Sequence, residues 1–232
     1  MLQVNTQGIV LKRTDYNEAD RIITFLTPDQ GKITVLARGV RKTKSKLAGG
    51  IELFSISDIT YINGRGEVHT LVSTRLVKHF GKIVTDLNRT NLGYDFIKLL
   101  DRSTEEHPEP EYFELLAHGF EALDDKNVNI DLIEVWFKAQ LLRMAGHSPN
   151  LKTDEHDEKL DEKAKYLFNF ETMNFNKDGV HNNSFDASSI KFLRLLFSGN
   201  LPGVLNKIKS VEVLSAQARP LVNSMMQTYI QI

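Results

Sequence analysis

The first third of the chain consists of short apolar runs separated by turn signals. Residues 27–31 have the composition of a tight turn, and residues 63–66 that of a hairpin turn. Runs rich in β-branched and aromatic residues between such turns predict strands. The predicted strands are residues 8–11, 21–26, 32–36, 54–62 and 68–77. Five short strands predict a small barrel, and the oligonucleotide-binding (OB) fold is a common partly open form.

Beyond Gly81 the apolar period changes from strand-like to helical. Positions three and four residues apart mark one face of a helix. The predicted faces are Ile83, Leu87, Thr90, Tyr94, Ile97 and Leu100; Tyr112, Leu115, Leu116, Phe120 and Leu123; and Leu132, Val135, Trp136, Ala139, Leu142 and Met144. Residues 184–200 and 210–230 are again helical in period.

These patterns predict an α+β protein with an N-terminal OB-fold β-barrel in residues 1–80 and an all-α helical domain in residues 81–232. A charged, asparagine- and glycine-rich stretch of about residues 150–184 interrupts the helices. We interpret it as a small, partly irregular insertion.

The net charge of −1 conceals two halves of opposite sign. Residues 1–82 hold 13 Lys/Arg against 7 Asp/Glu, a net +6, whereas the remainder holds 16 against 23, a net −7. Binding to a polyanion is therefore expected in the N-terminal part.

The composition excludes several classes of site. The chain has no cysteine, so it has no disulfide, thiolate zinc site or cysteine nucleophile. It has no phosphate-binding glycine motif, and its histidines lack spaced catalytic partners. We expect no enzyme, no cofactor and no metal. Without a leader-like start or an apolar run near 20 residues, we expect a cytoplasmic protein with no membrane segment.

A basic loop between the third and fourth strands is the most informative local feature. Five cations fall within nine residues, with glycines inside and just after them: Arg38, Arg41, Lys42, Lys44 and Lys46. A flexible cationic loop neutralises successive phosphates and releases their counterions, without reading sequence. The plain alternative is a solvated charged loop.

Six further cations extend the same positive surface if the barrel is correct: Lys12, Arg13, Arg21, Lys32, Arg65 and Arg75. Aromatic platforms for base stacking are fewer, and most alternate as core residues do. The barrel aromatics are Tyr16, Phe25, Phe54, Tyr61 and Phe80. Binding dominated by the nucleic-acid backbone is therefore predicted.

The third helix carries the only tryptophan, Trp136, followed by Phe137 and Lys138, with Arg143 near its end. Core packing explains such rings on its own. The alternative is an apolar cleft rimmed by cations, which suits a short peptide tail ending in an aromatic residue and a free carboxylate.

Several segments resemble the RecO recombination mediators. The N-terminal likeness lies in residues 8–12, 15–22, 31–32, 36–42 and 44–49, in order and spacing. Residues 141–151 are similar to the family's leucine-rich helix ending in Gly-x-x-Pro-x-Leu.

The resemblance implies a DNA repair protein that binds single- and double-stranded DNA, anneals complementary strands and is associated with the nucleoid. It also implies recombinase loading onto DNA coated by single-strand-binding protein, together with RecR and in some lineages RecF. The C-terminal tail of the coating protein docks on the family's helical domain. The loop cations then become the DNA contacts, and the third-helix set the candidates for the tail.

One departure concerns zinc. Many members carry a four-cysteine module after the Gly-x-x-Pro-x-Leu element, where this chain presents Asp154, Asp157, His181 and Ser184. That set cannot form a structural thiolate site. The insertion is thus predicted to be a degenerate zinc-finger region that folds without metal.

Two alternative functions stay open from the sequence. One is a related barrel protein whose ligand is RNA. The other is an adaptor that acts through the helical half and whose basic loop binds acidic protein.

Overall fold

A computed structural model describes residues 3–64, 66–104, 109–161, 163–178 and 184–230. The chain forms two compact units, Met1–Asp125 and Lys126–Ile232. In the described ranges, no helix combines the length and apolar character needed to cross a bilayer.

The first unit begins with a closed five-stranded barrel. Its strands are β1 (Gln3–Tyr16), β2 (Asp20–Thr27), β3 (Gly31–Ala37), β4 (Ser55–Ile62) and β5 (Val68–His79). Their order around the barrel is β1-β2-β3-β5-β4, and β4 returns to pair with β1. All pairs are antiparallel except β3 with β5. The predicted OB-fold barrel is confirmed.

The barrel interior follows from alternation along each strand. In β3 every second residue is buried, because successive side chains of a strand point to opposite faces. Phe25, Val35 and Ile59 are among the fully enclosed side chains. The strands are longer than the apolar runs alone predict, since the polar ends of β1 and β5 also join the ladder.

Two helices complete the first unit, α1 (Leu87–Ser103) and α2 (Glu111–Asp124), after a 3-10 turn at Ile83–Thr85. The predicted first helix was wrong in two respects. Ile83 precedes α1, and Leu87 and Tyr94 are exposed. The helix buries the predicted Ile97 and Leu100, together with Arg89, Gly93 and Phe96, which the predicted face did not include. An apolar pattern misses this face because one buried member is charged and another has no side chain.

Each of these helices is bound at its C-terminal end by a cation from another element of the unit. The Lys32 ammonium of β3 donates to the carbonyls of Asp101 and Thr104, at 2.6 and 3.0 Å, at the end of α1. Arg89 donates in the same way to the end of α2. Helices α1 and α2 therefore belong to the same compact unit as the barrel.

The second unit is helical around a small insertion. Its helices are α3 (Ile130–Met144), α4 (Ala187–Leu196), α5 (Pro202–Leu205) and α6 (Val211–Tyr229). Helix α3 is buried on most sides, and a polar seam joins it to α6. In that seam Arg219 pairs with Asp131 and Glu134, while Lys138 pairs with Glu134 and hydrogen bonds to Asn223.

The insertion between α3 and α4 contains a hairpin of β6 (Lys165–Asn169) and β7 (Asn174–Asp178). Tyr166 and Phe175 are fully buried in it, and Phe168 and Phe185 each meet Phe175 edge-on. Edge-to-face rings of this kind stabilise a small core. An aromatic cluster thus forms the core of the segment that lacks the family's cysteines.

Candidate nucleic-acid interface

The basic loop runs from Arg38 to the start of β4 as a series of turns, with a 3-10 turn at Ala48–Gly50. The buried side chains of Val40 and Ile51 anchor it in the barrel core. Gly50 lies against β5, where a Cβ would come within 2.3 Å of Thr74 Cβ. The predicted flexible loop is therefore a hydrogen-bonded connection with fixed ends.

The loop presents its charges to solvent. Arg38, Arg41, Lys42, Lys44 and Lys46 are all exposed. Of these five, only Arg41 forms an ion pair with another described residue. The other four ammonium and guanidinium groups are available to an external anion.

The loop is joined to the turn between β1 and β2. The Arg41 N–H donates to the Ala19 carbonyl at 2.9 Å, and the Gly39 N–H donates to the Asp20 carboxylate at 2.7 Å. This brings Arg21 of β2 close to the loop. Arg13 of β1 donates to the Ile51 carbonyl at 3.3 Å, on the other side of the loop. The structure thus gathers Arg13, Arg21 and the five loop cations at one end of the barrel.

Asp15 of β1 lies among these arginines. Its carboxylate accepts a hydrogen bond from Arg21 Nε at 2.7 Å and is 3.6 Å from an Nη atom of Arg41. The bond from Arg21 lowers the pKa of Asp15 below its ordinary value, and the charges of Arg41 and Arg13 add to the effect. The sequence did not single out this acid, because a lone Asp beside a turn gives no signal of its partners.

The remaining predicted cations are more dispersed. Lys12 is exposed on β1. Lys32 lies at the far end of β3 from the loop, is 13% exposed and pairs with Asp101. Arg75 of β5 pairs with Asp58, which faces it on β4. Arg65 lies outside the described residues. Lys32 is engaged within the fold by Asp101 and Thr104 and is not part of the interface.

The aromatic residues of the barrel give little stacking surface. Phe25, Phe54, Tyr61 and Phe80 are each at most 2% exposed, whereas Tyr16 is 46% exposed at the end of β1. Tyr16 is therefore the one barrel aromatic, of the five considered, that offers a base a ring face.

The third-helix candidates occupy different environments. Trp136 and Phe137 lie in the core of the second unit, and Trp136 Nε1 donates to the Asn200 carbonyl at 2.8 Å. Lys138 is engaged in the polar seam with α6. Arg143 is exposed, and its Nε donates a hydrogen bond to Gln140 Oε1 at 2.9 Å. Of the four, Arg143 alone presents its charge at the surface.

The insertion contains a cavity but no assembled metal site in its described part. The cavity, of about 430 Å³, lies between the hairpin and α6 and is lined by Phe168, Phe170 and Pro220 among others. Its described lining carries no charged side chain. Asp154 is buried and accepts the N–H groups of His156 and Glu158 at 2.9 and 3.0 Å. Such a carboxylate does not match a thiolate zinc site, and His181 lies outside the described residues.

Comparison with family models decides the relationship. The model of the recombination protein O N-terminal domain matches residues 1–80, and that of its C-terminal domain matches residues 84–232. This chain belongs to the RecO family. Both halves of the resemblance seen in the sequence are thereby confirmed, and the two matches leave only residues 81–83 between them.

Individual RecO proteins match over part of their length. DNA repair protein RecO of Desulfatibacillum aliphaticivorans is 34% identical over 154 residues, which cover 65% of this chain and 60% of that protein. Those of Dehalococcoides mccartyi strain 195 and Roseiflexus sp. strain RS-1 are 35% and 37% identical, over 58% and 51% of their lengths. The chain thus spans about three fifths or less of the relatives that it matches.

Proposed function

We propose that this chain acts in DNA repair by binding DNA, single- or double-stranded, through the basic end of its barrel. The observation that carries the proposal is the gathering of Arg13, Arg21 and the loop cations around one turn of the barrel. Its similarity to DNA repair proteins RecO supports the same role.

The expected binding mode is capture of the phosphate backbone. The long Lys and Arg side chains of the basic loop neutralise phosphates, and these contacts carry no sequence information. Tyr16 supplies one exposed ring and the other barrel aromatics are buried, so base stacking contributes little. Bases left free in this way are available to pair, which is the physical basis for proposing strand annealing. No catalytic step is part of the proposal.

Charge reversal of the loop tests the interface. We expect Arg41→Glu, Lys42→Glu and Lys44→Glu together to weaken binding of a labelled single-stranded oligonucleotide at least tenfold in fluorescence anisotropy at low salt. The matched control reverses three exposed lysines of the second unit, Lys159, Lys207 and Lys209. Retained affinity in the loop variant, or an equal loss in the control, contradicts the loop assignment.

Competition separates DNA from the RNA alternative. Unlabelled DNA and RNA of equal length and sequence are titrated against the preformed complex. We propose DNA as the ligand, so RNA is expected to compete no better than DNA. Displacement by RNA at several-fold lower concentration favours the RNA-binding alternative.

The second unit is proposed to recruit protein partners, in the way that the family resemblance implies for RecR, RecF and the tail of single-strand-binding protein. Recombinase loading onto coated DNA follows from joining such recruitment to DNA binding. Arg143 is the exposed cation of the predicted set and suits a carboxylate of the tail. Arg143→Ala is expected to weaken binding of a labelled tail peptide, with Lys138→Ala as the control whose charge is internally paired. Unchanged affinity for the peptide in Arg143→Ala contradicts this placement.

A further inference from the structure

Asp15 links the two arginines that come from different parts of the proposed interface. Arg21 belongs to β2 and Arg41 to the basic loop, and each addresses a different oxygen of the Asp15 carboxylate, at 2.7 and 3.6 Å. Arg21 hydrogen bonds to the carboxylate and Arg41 forms an ion pair with it, and a phosphate offers the same negative charge and acceptor oxygens to these guanidinium groups.

All three side chains are accessible to solvent. The side chain of Asp15 is 54% exposed, and those of Arg21 and Arg41 are 30% and 38% exposed. Ion pairs at such positions are weak and exchange readily, so an external anion competes with the carboxylate for the arginines. The pair is therefore a contact that can open and not a fixed part of the core.

We propose that Asp15 is an internal competitor for the phosphate that Arg21 and Arg41 bind, and that it limits the affinity of the barrel for DNA. The proposal rests on the proposed function. In the free protein the carboxylate occupies the two guanidinium groups, and in the complex a phosphate replaces it. Asp15 also repels the entering phosphate, so binding remains weaker and more readily reversed than the cations alone allow.

The competing structural explanation is that Asp15 holds the hairpin and loop in place for binding. The loop has other attachments, however. Its backbone is joined to the hairpin by the bonds to Ala19 and Asp20, and to β5 by the bond from Thr74 Oγ1 to the Leu47 carbonyl at 3.1 Å. Loss of the Asp15 charge is therefore expected to free the arginines without releasing the loop.

The test compares Asp15→Asn with Glu18→Gln in the full chain. Glu18 is an exposed acid of the same hairpin and forms no ion pair with any described residue. Glu18→Gln removes one negative charge, as Asp15→Asn does, without freeing an arginine. Binding of a single-stranded oligonucleotide is measured by anisotropy over a range of salt. For Asp15→Asn we expect roughly threefold to tenfold tighter binding at low salt.

A third variant identifies the arginines as the source of the tighter binding. In a background with Arg21→Gln and Arg41→Gln, Asp15→Asn is expected to increase the affinity for the oligonucleotide much less than it does in the wild type. If the wild type binds but Asp15→Asn binds equally or more weakly, or if Glu18→Gln tightens binding as much, the competitor role is overturned and the proposed function stands. If the wild type does not bind DNA at low salt, both fall.

Discussion

Arg89 is a buried cation whose removal has a predictable cost. It lies in the first turn of α1, is 7% exposed, and its Nη1 atom donates to the carbonyls of Leu123 and Asp125 at 2.9 and 3.0 Å. The last carbonyls of a helix have no partner within it, and a cation there also interacts favourably with the helix dipole. Arg89 supplies both effects to α2.

The magnitude follows from these contacts. Hydrogen bonds to a charged group contribute about 1.5–3 kcal/mol each, and Arg89→Met removes two short ones while keeping much of the apolar stem. Relief from burying the guanidinium offsets part of the loss. We therefore expect the free energy of unfolding of the first unit to fall by about 3 kcal/mol, and its melting temperature by roughly 6–12 °C.

Thermal unfolding followed by circular dichroism measures the effect. The control is Arg102→Met, which removes an exposed arginine from the last turn of the same helix. A melting temperature of Arg89→Met within about 2 °C of the wild type, or an equal fall in Arg102→Met, refutes the capping role.

Three further predictions concern other parts of the chain. Gly50→Val is expected to weaken DNA binding, because the branched side chain collides with Thr74 and displaces the loop, and anisotropy measures the loss. Trp136 is buried, so its fluorescence is expected to be blue-shifted and poorly quenched by iodide until the second unit unfolds; ready quenching in the native state contradicts this. Bonds from the backbone and hydroxyl of Ser189 lower the pKa of Asp186. Its stabilising effect is therefore present above an unfolded-state pKa near 3.8 and is lost as the pH falls through the lower folded value. Asp186→Asn should remove that part of the fall in the free energy of unfolding at acid pH. An unchanged pH dependence in the variant contradicts the assignment to Asp186.

The barrel and most helices were predictable because apolar periodicity reports directly on burial. The strands of the barrel follow the alternation of their residues, and the buried face of α2 follows the three- and four-residue spacing of its apolar residues. The face of α1 does not, since its packing depends on Arg89 and on Gly93, where a Cβ would come within 2.7 Å of the Phe54 ring. Apolar periodicity does not reveal a buried charged residue or a position where only glycine fits.

The candidate site was predictable only in part, and for a related reason. A run of cations within nine residues is local, so the basic loop is visible in the sequence. The uses of Lys32, Arg21 and Asp15 depend on partners 69, 6 and 26 positions away along the chain, which the fold alone brings together. Charge alone did not distinguish Lys32, whose ammonium binds carbonyls at the end of α1, from the lysines that face solvent.

The salt dependence of DNA binding tests the central claim most directly. The observed binding constant of the wild type for a single-stranded oligonucleotide is measured by anisotropy from low to moderate salt. If each of the five loop cations contacts a phosphate, the slope of log K against log salt is expected to be about −3.5, at about 0.7 per contact. The loop charge reversal should make it much shallower. A slope near zero, or the same slope in the wild type and the loop variant, contradicts capture of the DNA backbone by the basic loop.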